Sequence, residues 1–286
     1  FTDTTNNSMY THDVSGTDNT AQNNTAYGFN ALDAITTGDD NTVIGKDAGS
    51  AINTGSANII LGTGAGDEIT TGNFNVAIGR SALGTEGTGG GNIAIGYQAL
   101  TLQNTSSSAY NVAVGHQAGA AVSTGNQNVL VGGLTGDALT TGVENTAIGH
   151  QALSVAQTSH ANVAIGHQSL AMQSADGFTF NTAVGYNSGQ QVTSGSQQVL
   201  IGAYAGDALT TGAQNVAIGY TALSTEDTGN GAVAIGYKAL EDQDFNGTSY
   251  NVAVGYEAGK NINTGTQNTL IGAQAGDSLT TGTNNV

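Results

Sequence analysis

The chain contains no cysteine, no proline and no tryptophan. Without cysteine there is neither a disulfide staple nor a thiolate metal site, and the redox compartment leaves no trace in the sequence. Basic residues are nearly absent as well: Lys46, Arg80, Lys238 and Lys260 stand against 21 acidic residues, for a formal net charge of −17. Phosphate neutralisation is therefore out of reach, which argues against nucleic acid as a partner, and the same acidity is repelled by anionic lipid surfaces. No run approaches the roughly 18 apolar residues of a spanning helix, so no membrane insertion is expected in this segment. The start at Phe1, without methionine or a signal-like stretch, reads as a mature or trimmed fragment.

What the chain has is glycine, 44 of 286 residues, and repetition. A motif Asn-Val/Thr-Ala-Ile/Val-Gly begins at Asn24, Asn41, Asn58, Asn75, Asn92, Asn111, Asn128, Asn145, Asn162, Asn181, Gln198, Asn215, Ala232, Asn251, Asn268 and Asn285. The spacing is 17 residues, except 19 after Asn92, Asn162 and Ala232, which sets a superperiod of four repeats, or 70 residues. The fifth position is invariant: Gly28, Gly45, Gly62, Gly79, Gly96, Gly115, Gly132, Gly149, Gly166, Gly185, Gly202, Gly219, Gly236, Gly255 and Gly272. Such constancy demands a positive φ or a close backbone approach. The ninth position follows the superperiod, Leu32, then Gly49 and Gly66, then Leu83 and Leu100, then Gly119 and Gly136.

Each motif opens with a short alternating run such as Val76-Ala77-Ile78, which reads as a strand with the β-branched residues on one face and alanine on the other. Turn segments such as Thr70-Thr71-Gly72 and Asn263-Thr264-Gly265 then close the repeat. Helices fail because glycine interrupts every stretch of good formers, and a disordered linker would not hold valine, isoleucine and glycine in register. The expected fold is all-β: a parallel β-solenoid of about fifteen coils of 17 to 19 residues over 24–286, preceded by a capping or connecting segment over 1–23. At about 4.8 Å per coil this would make a rod on the order of 70 Å long.

In such a stack the asparagines form a ladder, each side-chain amide bonding to the coils above and below. Gln198 can take part, whereas Ala232 predicts a local break. If the valines and isoleucines fill the interior, the third-position residues Ile60, Leu130, Leu200 and Leu270 face outward and call for a partner chain. In a flattened coil, both faces would instead be internal.

Stretches such as NTAIGHQAL (145–153), NVAIGYTAL (215–223) and NVAVGYEAG (251–259) resemble the head repeats of YadA-type trimeric autotransporter adhesins. They resemble still more the 17-residue repeats with Thr-Thr-Gly turns of many phage tail-fibre proteins. The resemblance covers 24–286. It implies a left-handed β-roll, three chains around one axis, and attachment at a virion or cell surface. Adhesin heads have somewhat shorter coils, so these coils would carry longer outer turns.

The three 19-residue repeats insert segments ending in Tyr110, Phe180 and Tyr250, which are candidate receptor or protomer contacts: exposed aromatics among polar neighbours can stack on sugar rings, or simply cover a coil corner. The sixth position carries Phe29, Tyr97, His116, His150, His167, Tyr186, Tyr220, Tyr237 and Tyr256, a column suited to ring stacking. His150 and His167 have no carboxylate or cysteine at ligand spacing, so no metal is assigned. Asp67, Asp137, Asp207 and Asp277 each follow a glycine, but recur every 70 residues instead of every nine as calcium-binding repeats require, and fit turn capping better than calcium. The carboxylates Glu226, Asp227, Glu241, Asp242 and Asp244 fall in what reads as variable outer turns without a pocket, and no catalytic triad, phosphate loop or zinc signature occurs. The adjacent threonines at Thr36, Thr70, Thr140, Thr210 and Thr280 point to opposite sides, unlike a flat ice-binding strand. The expectation is therefore a non-enzymatic structural or adhesive fibre module. A tail-fibre shaft ranks first, an adhesin head or extracellular filament second, and an ice- or polysaccharide-binding solenoid is a remote third. Its partners would be itself, as a homotrimer, and a cell-surface receptor or polysaccharide, with no cofactor.

Overall fold

A computed structural model describes residues 2–3, 8–10 and 20–286. The chain divides into two units, 1–143 and 144–286. Each is a parallel β-solenoid, and no helix occurs among the described residues.

In the first unit, the motif strands are Thr25–Tyr27, Thr42–Ile44, Ile59–Leu61, Val76–Ile78, Ile93–Ile95, Val112–Val114 and Val129–Val131. Each pairs in parallel with the next, residue for residue across one repeat: Val76 on Ile93, Ala77 on Ala94, Ile78 on Ile95. The second unit repeats this with Thr146–Ile148, Val163–Ile165, Thr182–Val184, Val199–Ile201, Val216–Ile218, Val233–Ile235, Val252–Val254 and Thr269–Ile271. The expected segment over 1–23 lies largely outside the described residues. Within it, Thr2–Asp3 runs antiparallel to Ser8–Tyr10, which continues in parallel onto Thr25–Tyr27.

The two faces of each strand are the reverse of the sequence expectation. The third-position residues are the interior: Ala77, Ala94, Ala217 and Ala234 are fully buried, and so are Ile60, Leu130 and Leu200, while Leu270 in the last coil is nearly so. The valines and isoleucines at positions two and four face outward and remain partly accessible. A 17-residue loop encloses too little volume for two β-branched side chains from one three-residue strand. It closes tightly over one inward strand residue, most often alanine, and the other interior aliphatics come from elsewhere in the coil.

Those aliphatics sit at positions three, nine and twelve, and they trade volume. Once in each superperiod a position-nine glycine, Gly66, Gly136, Gly206 or Gly276, makes room for Ile60, Leu130, Leu200 or Leu270 at position three: a Cβ on Gly206 would lie 2.7 Å from Leu209 Cδ1 and 2.8 Å from Leu200 Cδ2. Where position nine is Leu83 or Leu223, position three shrinks to Ala77 or Ala217. The 70-residue superperiod is thus a packing period, alternating large and small side chains between stacked coils at interior density.

The invariant glycine answers a closer constraint. Its φ lies between +130° and +146° throughout, and a Cβ on Gly45 would stand 2.6 Å from the Gly62 carbonyl oxygen of the next coil. Coils approach here backbone to backbone. The remaining corners use left-handed residues at positions seven and nine, as at Ser81 (φ 55°) and Leu83 (φ 52°), and at the last position of the coil. Tyr110, Phe180 and Tyr250 occupy that last corner, with φ near 50° in each.

Gly45→Ala should therefore lower unfolding stability by about 2–4 kcal/mol. Gly177→Ala, at φ +80° with nothing within 4 Å of the added methyl, should cost only about 1 kcal/mol. Thermal unfolding followed by circular dichroism compares the two, and equal losses would contradict the close-approach explanation.

Candidate functional surfaces

The asparagine column is a clasp as well as a ladder. Asn41 Nδ2 donates to the Gly55 carbonyl oxygen of its own coil at 2.9 Å and to Asn24 Oδ1 at 3.0 Å. Asn24 Oδ1 also accepts the Asn41 backbone N–H at 2.9 Å. The same arrangement holds at Asn58, Asn128 and Asn268. The clasped carbonyl belongs to the turn glycine fourteen residues on, so one side chain shuts its coil and fastens it to its neighbour. Gln198 reproduces the arrangement, accepting from the Asn215 N–H at 3.1 Å and reaching the Gly212 carbonyl.

The long coils depart from it. Their extra residues carry the turn away, and Asn92 Nδ2 is buried without a partner. Asn162 keeps its ladder bonds to Asn145 and Asn181 but has no turn glycine to clasp, its Oδ1 accepting in addition from Thr179 Oγ1 at 2.7 Å, and Ala232 dispenses with the amide. Three glutamines take over part of the task. Gln103, Gln173 and Gln243 are fully buried, and their Oε1 atoms accept from Asn111, Asn181 and Asn251 at 2.7, 2.8 and 2.8 Å. At Ala232 the backbone N–H still donates to Asn215 Oδ1 at 2.9 Å, so the expected break is confined to the bonds of the missing amide, and Gln243 holds Asn251. The strict 70-residue spacing of these glutamines was a visible signal of their role.

Glu226 is a correction. It does not lie in a variable outer turn but is fully buried at position twelve, as is Glu86. Glu226 Oε1 accepts from the Gly229 N–H at 2.8 Å, and Oε2 from Gln243 Nε2 at 2.9 Å and the Phe245 N–H at 3.3 Å. Glu86 Oε1 accepts from Gly89 and Thr105, while its Oε2 has no partner. The basic side chains are spent elsewhere: Lys46 on Asp47, Lys238 and Lys260 on Glu241, and Arg80 over the Tyr97 ring. Burial consequently pushes both carboxyls above the usual carboxylate range, against the opposing effect of their N–H donors.

Glu226, Asp227 and Asp244 bring carboxylate oxygens within 4.8 Å of one another. The buried member is already committed to its own donors, and the cluster includes none of the glycine-linked aspartates. Among those, burial pushes the carboxyls of Asp67 and Asp207 above the usual carboxylate range, against the lowering effect of backbone N–H groups of their own turn, and Asp207 Oδ1 is buried without a hydrogen-bond partner. In the threonine pairs, Thr70 Oγ1 donates to the Gly87 carbonyl at 2.9 Å and Thr71 faces outward, and Thr36 Oγ1 is likewise spent on the Asn53 carbonyl at 2.9 Å, leaving Thr37 exposed.

The aromatic column forms in the second unit as an unbroken stack of His150, His167, Tyr186, Tyr204, Tyr220, Tyr237 and Tyr256, with centroids 5.0 to 6.1 Å apart. Tyr204 comes from position seven and fills the gap left by Ala203, which the sixth-position pattern missed. The ring faces are largely occupied by each other, leaving edges and hydroxyls to solvent. At the corners, Tyr110 lies against Gly91 and Tyr250 against Gly231, while Phe180 stacks on Phe178 at 5.5 Å. All three are more than half exposed, at 63%, 63% and 56%.

No family model, no curated protein and no solved structure matches the chain.

The buried carboxyls predict a pH dependence. A carboxyl whose folded pKa is raised contributes its full stability below the unfolded value of about 4.3 and loses it as pH rises through the folded value. Glu226→Gln should therefore gain stability relative to the wild-type chain as pH is raised from 4 to 8. Denaturation midpoints of the two proteins across that interval provide the check, and a constant difference would mean that Glu226 titrates normally.

Proposed function

We propose that the chain is a structural, adhesive fibre module, most closely suited to a phage tail-fibre shaft or receptor-attachment segment, working as a left-handed β-roll in a homotrimer. The observation that carries this reading is the outward strand face. In each unit, positions two and four form two parallel columns of valine, isoleucine and occasional threonine, as at Val76, Ile78, Ile93 and Ile95 in the first and Val216, Ile218, Val233 and Ile235 in the second. These columns carry no charged side chain, although the chain as a whole carries −17.

A continuous apolar stripe of that kind is costly in water and gains from being covered. Its repeat of one coil is matched at every level by a second copy in the same register, which favours self-association around a common axis. The face therefore replaces Ile60, Leu130 and Leu200 as the motive for trimerisation. The 17-residue repeats with Thr-Thr-Gly turns favour the tail-fibre setting. On this reading the chain is not an enzyme, the close carboxylate cluster of Glu226, Asp227 and Asp244 being tied into the coil interior through Glu226.

Light scattering on the purified chain should return three times the mass of one chain. The double variant Ile165→Glu/Ile235→Glu, which changes only outward positions, should be monomeric with an unchanged β-type circular dichroism spectrum. A monomeric wild-type chain would overturn the proposal.

A further inference from the structure

The three long turns are not equivalent, and the first borders a groove. Residues 104–109 on one side, with Thr124 and Asn126 of the next coil on the other, line a groove of about 350 Å³. At corresponding positions, the second turn places Asp176 and Phe178 where the first has Ser106 and Ser108. Phe178 stacks there on Phe180 and meets His160 edge-on. The third turn places Phe245 where the first has Thr105, and that ring packs over Gly247, whose added Cβ would lie 3.0 Å from Phe245 Cε1. Ser106, Ser107 and Ser108 are too small to fill the space.

The groove is held in shape from beneath. Asn104 N–H donates to the Ser123 carbonyl at 2.8 Å, Ala109 N–H to the Gly90 carbonyl at 3.1 Å, and Thr105 N–H to the buried Glu86 at 3.2 Å. Thr88 Oγ1 donates to the Thr105 carbonyl at 3.0 Å, and Thr105 Oγ1 to the Ser107 carbonyl at 2.6 Å. A ligand would meet a fixed frame, so little conformational entropy opposes binding.

We infer that this groove binds a segment of neutral oligosaccharide. Its lining is hydroxyl and carboxamide with no charged side chain. A cation would find no carboxylate there, and an anion no basic group on a chain with a net charge of −17. An apolar ligand would strip water from the hydroxyls without replacing its hydrogen bonds. A ligand rich in hydroxyls can both donate and accept along such a wall, and the volume falls within the range of small-ligand sites. Tyr110, next in sequence after Ala109 of the lining, closes the turn with its ring exposed. The inference rests on the adhesive reading above and gives it a ligand class and a place.

Saturation-transfer difference NMR of the full chain with cellohexaose, maltohexaose and chitopentaose tests it. At least one of these sugars should receive saturation from the wild-type chain. Ser108→Phe, which installs the side chain the second turn already carries, should raise its Kd at least about tenfold. Ser106→Asp, which likewise copies a residue of the second turn, is the second variant should the first disturb the circular dichroism spectrum. Absence of transfer to all three sugars, or transfer undiminished in the variants, overturns the inference. A trimer that binds none of them would leave the fibre reading standing, whereas a monomer that binds through this groove would remove the fibre reading alone.

Discussion

Backbone stacked on backbone at close range, held by one asparagine per coil, is the constraint from which the rest of the molecule follows. Hydrogen bonds between coils need the chain to return to the same height every 17 or 19 residues. At the fifth position the return is so close that no side chain fits. The asparagine amide satisfies a donor and an acceptor that would otherwise be buried unpaired, at a cost of about 1–3 kcal/mol each. Its reach to the turn glycine fixes the size of the loop, and the size of the loop fixes what can fill it.

A loop so narrow has room for one inward residue on the strand, alanine in most coils, and one or two larger aliphatics beyond it. The valines and isoleucines are consequently displaced to the outside, and what would be core in a wider fold becomes a surface. The same economy explains the buried polar side chains. Where a coil lengthens, the asparagine loses its carbonyl, and Gln103, Gln173 and Gln243 enter the interior to hold the next asparagine. Glu86 and Glu226 sit one coil before two of these glutamines. Glu226 bonds to Gln243, and Glu86 anchors the turn that forms the groove. Extension of the outer turn, polar substitution inside and a ligand-sized opening outside are linked features of the same coil pair.

Periodicity made the architecture legible. A glycine recurring at one position and an asparagine four residues before it permit few folds other than a stack of coils, and the strand pairing from Val76 to Ile93 is the spacing itself read out in space. The direction of the strand faces was not legible, because alternation states which residues share a side but not which side is enclosed. That depends on coil volume, which is set by the clasp between Asn41 and Gly55 and others like it. Glu226 was misread for a related reason: its neighbours Asp227 and Asp244 are exposed, and only the return path of the coil separates it from them. The groove beside Ser107 was not legible because it depends on small side chains at Ser106, Ser107 and Ser108 coming opposite Thr124 and Asn126 of the next coil.

Nuclear Overhauser contacts in a selectively labelled chain test the stacking most directly. Val76 and Ile93, together with Asn41 and Asn58, should show backbone and side-chain contacts across their 17-residue separation. Contacts confined to residues three or four apart, or pairing Val76 with a strand running in the opposite direction, would contradict the account.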